Sequence, residues 1–178
     1  IKRATGADSG DVELEELTYE GYGPGGVAIL VSVVTDNRNR SVSQVRSVFE
    51  HQGGKMGQTG SVNWLFEQKG VLSTDERDEE RAQEVALLAI DLGAEDFELD
   101  GSYLEARCAP EQFEDLRGAL EARGVIFSNA ELDMSPKSTV RIDEKTAEQT
   151  LRLLDRLEDL DDVQKVFSNA DFPDEVLD

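Results

Sequence analysis

Hydrophobic and polar positions along the chain change repeatedly between the period of a strand and the period of a helix. Residues 27–35 are almost all apolar and β-branched, which is typical of a buried strand. Residues 37–52 carry apolar side chains at helical spacing, and Ser41 followed by Gln44 predicts a capping box for that helix. Residues 61–72 return to strand character, which we interpret as one long strand.

The same two periods predict the remaining elements of the chain. In chain order they are an edge strand at 13–19, a helix at 75–92 capped by Asp75, hairpin strands at 97–99 and 103–108 around Asp100-Gly101, a helix from Pro110 to Gly124, strands at 125–134 and 139–142, a helix from Asp143, a strand at 163–167 and a frayed tail at 171–178.

This order of elements contains two series of strands and helices, one nested in the other. Residues 70–136 hold a complete β-α-β-β-α-β series, whereas residues 13–69 hold part of a second series that residues 137–178 complete. The prediction is therefore an α+β protein of two ferredoxin-like (split βαβ) α/β-sandwich domains, one inserted in the other. A continuous α/β sheet is the alternative, and the Asp100-Gly101 hairpin argues against it.

The first residues carry a separate prediction. Ile1 to Gly6 read as the end of a helix, with the glycine just past its last turn. We therefore expect residues 1–12 to be the remnant of an N-terminal helical domain and its linker, with further sequence before Ile1.

Charge limits the classes of partner. The 178 residues include 18 Lys and Arg against 39 Asp and Glu, which gives a net charge of −21. This excess of acid opposes nucleic-acid binding, since affinity for phosphate comes from Lys and Arg. The excess is uneven, because residues 27–69 hold five basic and three acidic side chains. Within this sequence, contact with phosphate is expected only in that mildly basic stretch.

Composition excludes further classes. With 38% hydrophobic residues the chain can form a core, and its longest apolar run is too short for a membrane helix, so we expect no membrane contact. One cysteine excludes an internal disulfide, and one cysteine with one histidine excludes a Cys/His zinc site. We expect a cytoplasmic protein with no metal and no cofactor.

Candidate chemistry concentrates in the segment from Asp36 to Arg40, between a buried strand and a helix. Free N–H groups of the helix start, two guanidinium groups and the amides of Asn37 and Asn39 converge there, which suits a phosphate or a carboxylate. Two other interpretations stay open. The segment is either a set of helix caps with solvated arginines, or an acyl-phosphate hydrolase site that uses a loop arginine with an asparagine.

The glycine-rich run from Gly21 to Gly26 does not match a phosphate loop. A strand follows it, and the Gly-Lys-Ser/Thr sequence is absent. The run favours a structural turn or a macromolecular contact through an exposed Tyr22. Elsewhere, His51 is expected to cap its helix in solvent and Cys108 to be a core thiol. Trp64 is expected in the sheet core, although an exposed tryptophan there could stack on a base.

The motifs of the chain resemble those of a known family. Tyr19 to Ala28, Thr35 to Arg40, Gly53-Gly54-Lys55 and Gly60-Ser61-Val62 are similar to the YebC/PmpR family, whose mitochondrial relatives are translational activators of a cytochrome oxidase subunit. The similarity covers essentially the whole chain, including Ser135-Pro136-Lys137.

This resemblance implies a non-enzymatic protein in which a basic helical domain precedes two nested α/β domains. It implies a transcriptional regulatory protein that binds DNA or, as an alternative, a ribosome-associated translation factor that relieves stalling. Most contact with DNA or ribosomal RNA is then expected through the first domain. A ligand-sensing or protein-interaction module is the other alternative. The candidate contacts within this sequence are Tyr22, Asn37, Arg38, Asn39, Arg40 and Lys55.

Overall fold

The computed structural model describes residues 2–4 and 13–177, and the chain divides into two compact units. The first unit is formed by Ile1–Phe66 and Pro136–Asp178, and the second unit, Glu67–Ser135, is inserted between these two parts. Each unit combines strands, paired mainly in antiparallel fashion, with helices. The predicted α+β class is therefore confirmed.

The strands and helices of both units are, in chain order, β1 (Lys2–Ala4), β2 (Glu13–Tyr22), β3 (Ala28–Thr35), α1 (Arg38–His51), β4 (Lys55–Met56), β5 (Phe66–Asp75), α2 (Glu79–Asp91), β6 (Asp96–Asp100), β7 (Tyr103–Cys108), α3 (Phe113–Glu121), β8 (Asn129–Pro136), β9 (Val140–Arg141), α4 (Glu144–Glu158), β10 (Val163–Ser168), β11 (Ala170–Asp171) and α5 (Asp174–Leu177). Among the residues that the structure describes, no helix has the length and hydrophobicity that a membrane span requires.

The sheet of the first unit has the strand order β1-β2-β3-β10, and β4 pairs with the end of β2. One face of this sheet forms the core of the unit, because alternate side chains of β3 point towards α1 and α4. Burial of such side chains stabilises a protein by about 1.5–3 kcal/mol each. The buried members of this core are Val27, Ile29, Val31, Val33, Val45, Phe49, Ile142, Ala147, Leu153 and Leu157.

The opposite face of the same sheet also has buried side chains, at the end where β2 meets β4. Glu20, Ala28 and Leu30 point to this face by strand alternation and are only 3%, 1% and 2% exposed. The segment after β4, residues 57–65, is held to this face by hydrogen bonds between its backbone and Glu20.

The sheet of the second unit has the order β6-β7-β5-β8, which together with α2 and α3 is the arrangement of a split βαβ sandwich. β6 and β7 form the hairpin predicted at Asp100-Gly101, where Gly101 has a φ of 62°. Cys108 is fully buried, as predicted for a core thiol. The core consists of Leu72, Val85, Ala86, Ala89, Ala94, Leu104, Ala106, Cys108, Phe113, Leu116, Leu120 and Val125.

The prediction of one long strand at 61–72 is wrong in its first part. Asn63–Leu65 form a 3-10 turn, and the strand that follows joins the sheet of the second unit. The N–H group of Val62 donates to the carboxylate of Glu20 instead of to a neighbouring strand. Trp64 consequently lies outside the sheet and is 62% exposed, so its expected place in the core is also wrong.

Two helix starts differ from the prediction. Asn37 caps α1, since its side chain accepts a hydrogen bond from the N–H of Arg40, whereas Ser41 lies inside the helix. α2 is capped by Asp78 rather than by Asp75. Asp75 is still the last residue of β5, and the extended chain has to turn before a helix can begin.

The ends of the chain and two strands differ as well. Lys2–Ala4 form β1 and not the end of a helix, and the rest of residues 1–12 lies outside the described residues. β2 is not an edge strand, because it pairs with β3 on one side and with β1 and β4 on the other. The strand predicted at 125–134 begins only at Asn129. The tail expected to be frayed contains α5.

Candidate nucleic-acid interface

The six candidate residues lie at two opposite ends of the first sheet. Tyr22 ends β2 and pairs with Lys55 of β4, whereas Asn37 to Arg40 follow the far end of β3. The ladder between β2 and β3 runs from Tyr22–Ala28 to Glu15–Thr35 and spans roughly 23 Å at the rise of a strand. We call Tyr22, Lys55 and residues 57–65 the Tyr22 end, and Thr35 to Arg40 with Asp162 the Arg40 end.

Arg40 is held between two carboxylates. Its Nη2 lies 2.7 Å from Oδ1 of Asp36 and 3.0 Å from Oδ1 of Asp162, and its Nε lies 3.2 Å from Oδ2 of Asp162. The hydrogen bonds to Asp36 and then to Asp162 raise the pKa of Arg40 above its ordinary value. The positive charge of Arg40 is therefore compensated within the protein, and an approaching phosphate would meet two carboxylates beside it.

Asp162 connects the start of α1 to β10. Besides Arg40, its carboxylate accepts hydrogen bonds from Oγ of Ser41 at 2.7 Å and from Oγ1 of Thr35 at 3.0 Å, and its side chain is 14% exposed. Partial burial by itself raises the pKa of Asp162, but the hydrogen bonds from three side chains outweigh it and lower the pKa below the ordinary 3.8. Arg40 and Ser41 thus serve the packing of the unit.

The other candidates at the Arg40 end are engaged to different degrees. Nη2 of Arg38 lies 2.7 Å from Oε2 of Glu15, and this hydrogen bond raises the pKa of Arg38, although its side chain stays 61% exposed. Oδ1 of Asn37 accepts the N–H of Arg40 at 3.1 Å, which is a helix cap. Asn39 is exposed. The capping interpretation therefore fits Asn37, while the two arginines are paired and not simply solvated.

Near the end of the sheet that carries Tyr22, two basic side chains are exposed without such partners. Lys55 lies directly opposite Tyr22, so both side chains project from the same face of the sheet. Within residues 2–4 and 13–177, the side chains of Lys55 and Arg152 form no ion pair and no hydrogen bond. At this end of the sheet a groove of about 380 Å³ is lined by Pro24, His51, Gln52, Gly53, Gln149 and Arg152.

A buried carboxylate organises the loop beside Tyr22. Oε2 of Glu20 accepts the N–H of Gly60 at 2.7 Å, and Oε1 accepts the N–H groups of Val62 at 2.8 Å and Asn63 at 2.7 Å. The main-chain oxygen of Glu20 also accepts the N–H of Gly57 at 2.8 Å. Sequence reasoning missed this role, because Glu20 lies just after the strand predicted at 13–19 and the hydrogen-bond partners of its carboxylate are at least 40 residues away in the chain.

Two aromatic rings are fixed on this loop. The hydroxyl of Tyr22 and Nε1 of Trp64 donate to the same oxygen, the carbonyl of Ser61, at 3.3 Å and 3.1 Å. The two residues are nevertheless 41% and 62% exposed. The Tyr22 end therefore presents two aromatic side chains and an exposed lysine together.

The second unit has an acidic surface around its own exposed tyrosine. Tyr103 is 41% exposed, as Tyr22 is, but its neighbours across the sheet are Asp75 on one side and Asp100 on the other. These carboxylates repel a polyanion. Tyr22 and Tyr103 are thus similarly exposed rings in opposite electrostatic surroundings.

Known proteins resemble the chain over nearly its whole length. The family model described as "TACO1/YebC second and third domain" matches residues 14–170. Proteins named "Probable transcriptional regulatory protein" from Syntrophus aciditrophicus and Rubrobacter xylanophilus are 46% and 49% identical over 179 residues, which cover 99% of this chain and 70% of each relative. The crystal structure of a conserved hypothetical protein from Aquifex aeolicus is 43% identical, with a TM-score of 0.85 over 93% of this chain and 68% of that one.

Proposed function

The chain belongs to the TACO1/YebC family, and from this premise we propose that it regulates transcription in the cytoplasm by binding DNA and not by catalysing a reaction. Membership confirms the resemblance drawn from the glycine-rich run and the segment from Thr35 to Arg40. The names of the relatives, "Probable transcriptional regulatory protein", support the regulatory part of the proposal.

The observation that carries the binding part is an exposed lysine, unpaired among the described residues, that lies beside two exposed aromatic rings. Arg38 and Arg40 are neutralised by carboxylates of the same unit, whereas Lys55 and Arg152 are exposed and have no such partner among the described residues. Uncompensated cations release bound counterions from a phosphate backbone and so supply affinity. Lys55 combines such a cation with the exposed rings of Tyr22 and Trp64, and this combination supports the Tyr22 end as the surface that contacts DNA.

The six candidate residues take different parts in this proposal. Tyr22 and Lys55 contact the nucleic acid directly. Arg38 and Asn39 are flanking contacts, because an exposed ion pair such as Arg38–Glu15 is worth little and a phosphate can compete for the guanidinium. Arg40 and Asn37 hold the start of α1 in place.

The absence of catalysis in the proposal is supported by the contacts of the one cysteine and the one histidine of the chain. Cys108 is fully buried, and burial raises the pKa of its thiol, which disfavours the reactive thiolate. Nδ1 of His51 lies 2.7 Å from the carbonyl oxygen of Ser47 in its own helix. Both side chains are thus engaged in structural contacts.

Binding of a DNA duplex by charge-matched variants tests the proposal. The double variant Lys55→Ala and Arg152→Ala removes one positive charge from the Tyr22 end and one from the groove at the same end of the sheet, and Arg77→Ala with Arg123→Ala removes two from exposed positions of the second unit. Each lost phosphate contact lowers the slope of log K against log salt by about 0.9, so the first variant is expected to lose roughly 2 and the control none. An equal loss in both variants, or no DNA binding by the unmodified chain, would refute the proposal.

The identity of the target in cells needs a second experiment. Crosslinking followed by sequencing of the bound nucleic acid is expected to recover DNA, with Lys55→Ala reducing the yield. Recovery of ribosomal RNA without DNA would instead make the ribosome the target and the protein a translation factor.

A further inference from the structure

We infer that Tyr22 and Trp64 form a platform on which the unpaired bases of single-stranded nucleic acid stack, with Lys55 placed against the backbone phosphates. This inference rests on the proposed function, because it names the form of nucleic acid that the Tyr22 end takes. Its first support is the common anchor of the two rings: both donors lie within 3.3 Å of the carbonyl oxygen of Ser61.

The carboxylate of Glu20 on β2 fixes the loop that carries Trp64. Glu20 is 3% exposed and binds three backbone N–H groups of residues 60–63 through its carboxylate. Burying a carboxylate is unfavourable unless its oxygens are fully hydrogen-bonded, so this loop geometry is strongly specified. A ring that is ordered before binding loses less conformational entropy on contact with a ligand. The arrangement therefore keeps a large aromatic surface both exposed and in a fixed position.

Lys55 beside Tyr22 favours an anionic ligand. Tyr22 has Ala28 and Lys55 as its neighbours across the sheet, whereas the equally exposed Tyr103 has two aspartates. Proteins bind single strands without sequence preference by stacking bases on aromatic side chains and placing basic side chains against the phosphates. Bases in a duplex have their flat faces covered by neighbouring pairs, so two exposed rings favour unpaired bases.

Trp64 is the only tryptophan of the chain, and its fluorescence therefore reports directly on stacking. The whole chain is titrated at low salt with oligothymidylate, with oligouridylate and with a hairpin duplex of equal length. Both single strands are expected to quench the emission to saturation and to bind more tightly than the duplex. The oligonucleotide that binds more tightly, oligothymidylate or oligouridylate, shows whether the single strand that the platform binds is DNA or RNA.

Three variants separate stacking from charge and from folding. Tyr22→Leu is expected to weaken single-strand binding about tenfold, since stacking on one ring contributes on this scale. Tyr22→Phe keeps the ring and is expected to retain most of the affinity, and Tyr103→Leu is expected to change nothing.

Two outcomes would overturn the inference. If the duplex binds as tightly as the single strands without quenching Trp64, and Lys55→Ala still weakens it, the proposed function stands and the platform is refuted. Equal losses in the leucine variants of Tyr22 and Tyr103 would also refute it. Failure to bind any of the three nucleic acids would refute the proposed function itself.

Discussion

Replacing Glu20 perturbs the carboxylate that accepts three backbone hydrogen bonds from residues 60–63. In Glu20→Gln one carboxylate oxygen becomes an NH2 group that cannot accept a hydrogen bond. The best orientation keeps Oε1 on Val62 and Asn63 and loses the bond from Gly60, whose N–H is near solvent. Loss of the charge and of one bond is expected to lower the free energy of unfolding by about 2 kcal/mol.

Glu20→Ala is expected to lower the free energy of unfolding further, because it leaves a buried N–H group without an acceptor. The N–H of Val62 is buried and would be left without an acceptor, which costs about 1–3 kcal/mol beyond the lost bonds. At about 1 kcal/mol for each of the three lost bonds, the total is about 4–6 kcal/mol. Urea unfolding followed by Trp64 fluorescence measures both variants, and the anisotropy of Trp64 in native conditions should fall because its loop becomes mobile.

Glu16→Gln is the matched control for Glu20. Glu16 lies on the same face of β2 but is exposed, so its neutralisation is expected to change stability by less than about 0.5 kcal/mol. Equal stabilities of the Glu16 and Glu20 glutamine variants would refute the role assigned to Glu20. So would a native anisotropy of Trp64 that both Glu20 variants leave unchanged.

Three further predictions follow from the packing and the ion pairs. Asp162→Asn is expected to lower the free energy of unfolding near neutral pH. The difference in stability from the unmodified protein should vanish in acid. Ionised Asp162 contributes stability above the ordinary pKa of 3.8, and this contribution is lost as the pH falls through the lower pKa of the folded state. A stability difference that does not change with pH in urea unfolding would contradict the role of Asp162. Gly21→Ala places a Cβ 2.7 Å from the ring of Phe49 and should lower the free energy of unfolding in urea by about 1–3 kcal/mol. Gly118→Ala has free space in α3 and should raise it by about 0.5–1 kcal/mol. Similar effects of the two variants would disprove the packing argument. Cys108, buried and with a raised pKa, should react with an aromatic disulfide reagent only as fast as the second unit opens, and rapid labelling in native buffer would show otherwise.

Local signals in the sequence were sufficient for most elements. The apolar run of β3 and the helical spacing of α1 were predicted within two residues of their ends. Asp143 caps α4 as expected, because its side chain reaches the N–H of Thr146 only three residues away. The Asp100-Gly101 turn likewise depends on the backbone freedom of one glycine. Each of these features is determined by residues that are close in the chain.

The features that the sequence did not reveal depend on distant partners. Arg40 and Asp162 are 122 residues apart, so Arg40 could be predicted as a phosphate ligand but not as a compensated ion pair. Glu20 is 42 residues from Val62, and without this contact residues 61–65 read as a strand and Trp64 as part of a core. Residue types alone therefore indicated the candidate residues, while their division between two ends of the sheet required the strand register.

Photochemical crosslinking tests most directly whether nucleic acid contacts the Tyr22 end. An oligonucleotide that carries 5-iodouracil is bound to the chain and irradiated, and the crosslinked peptides are identified by mass spectrometry. The predicted result is attachment at Tyr22 or Trp64, with little at Tyr103, whose exposure equals that of Tyr22. Attachment confined to residues 37–40 or to the second unit would show that nucleic acid does not bind at the Tyr22 end.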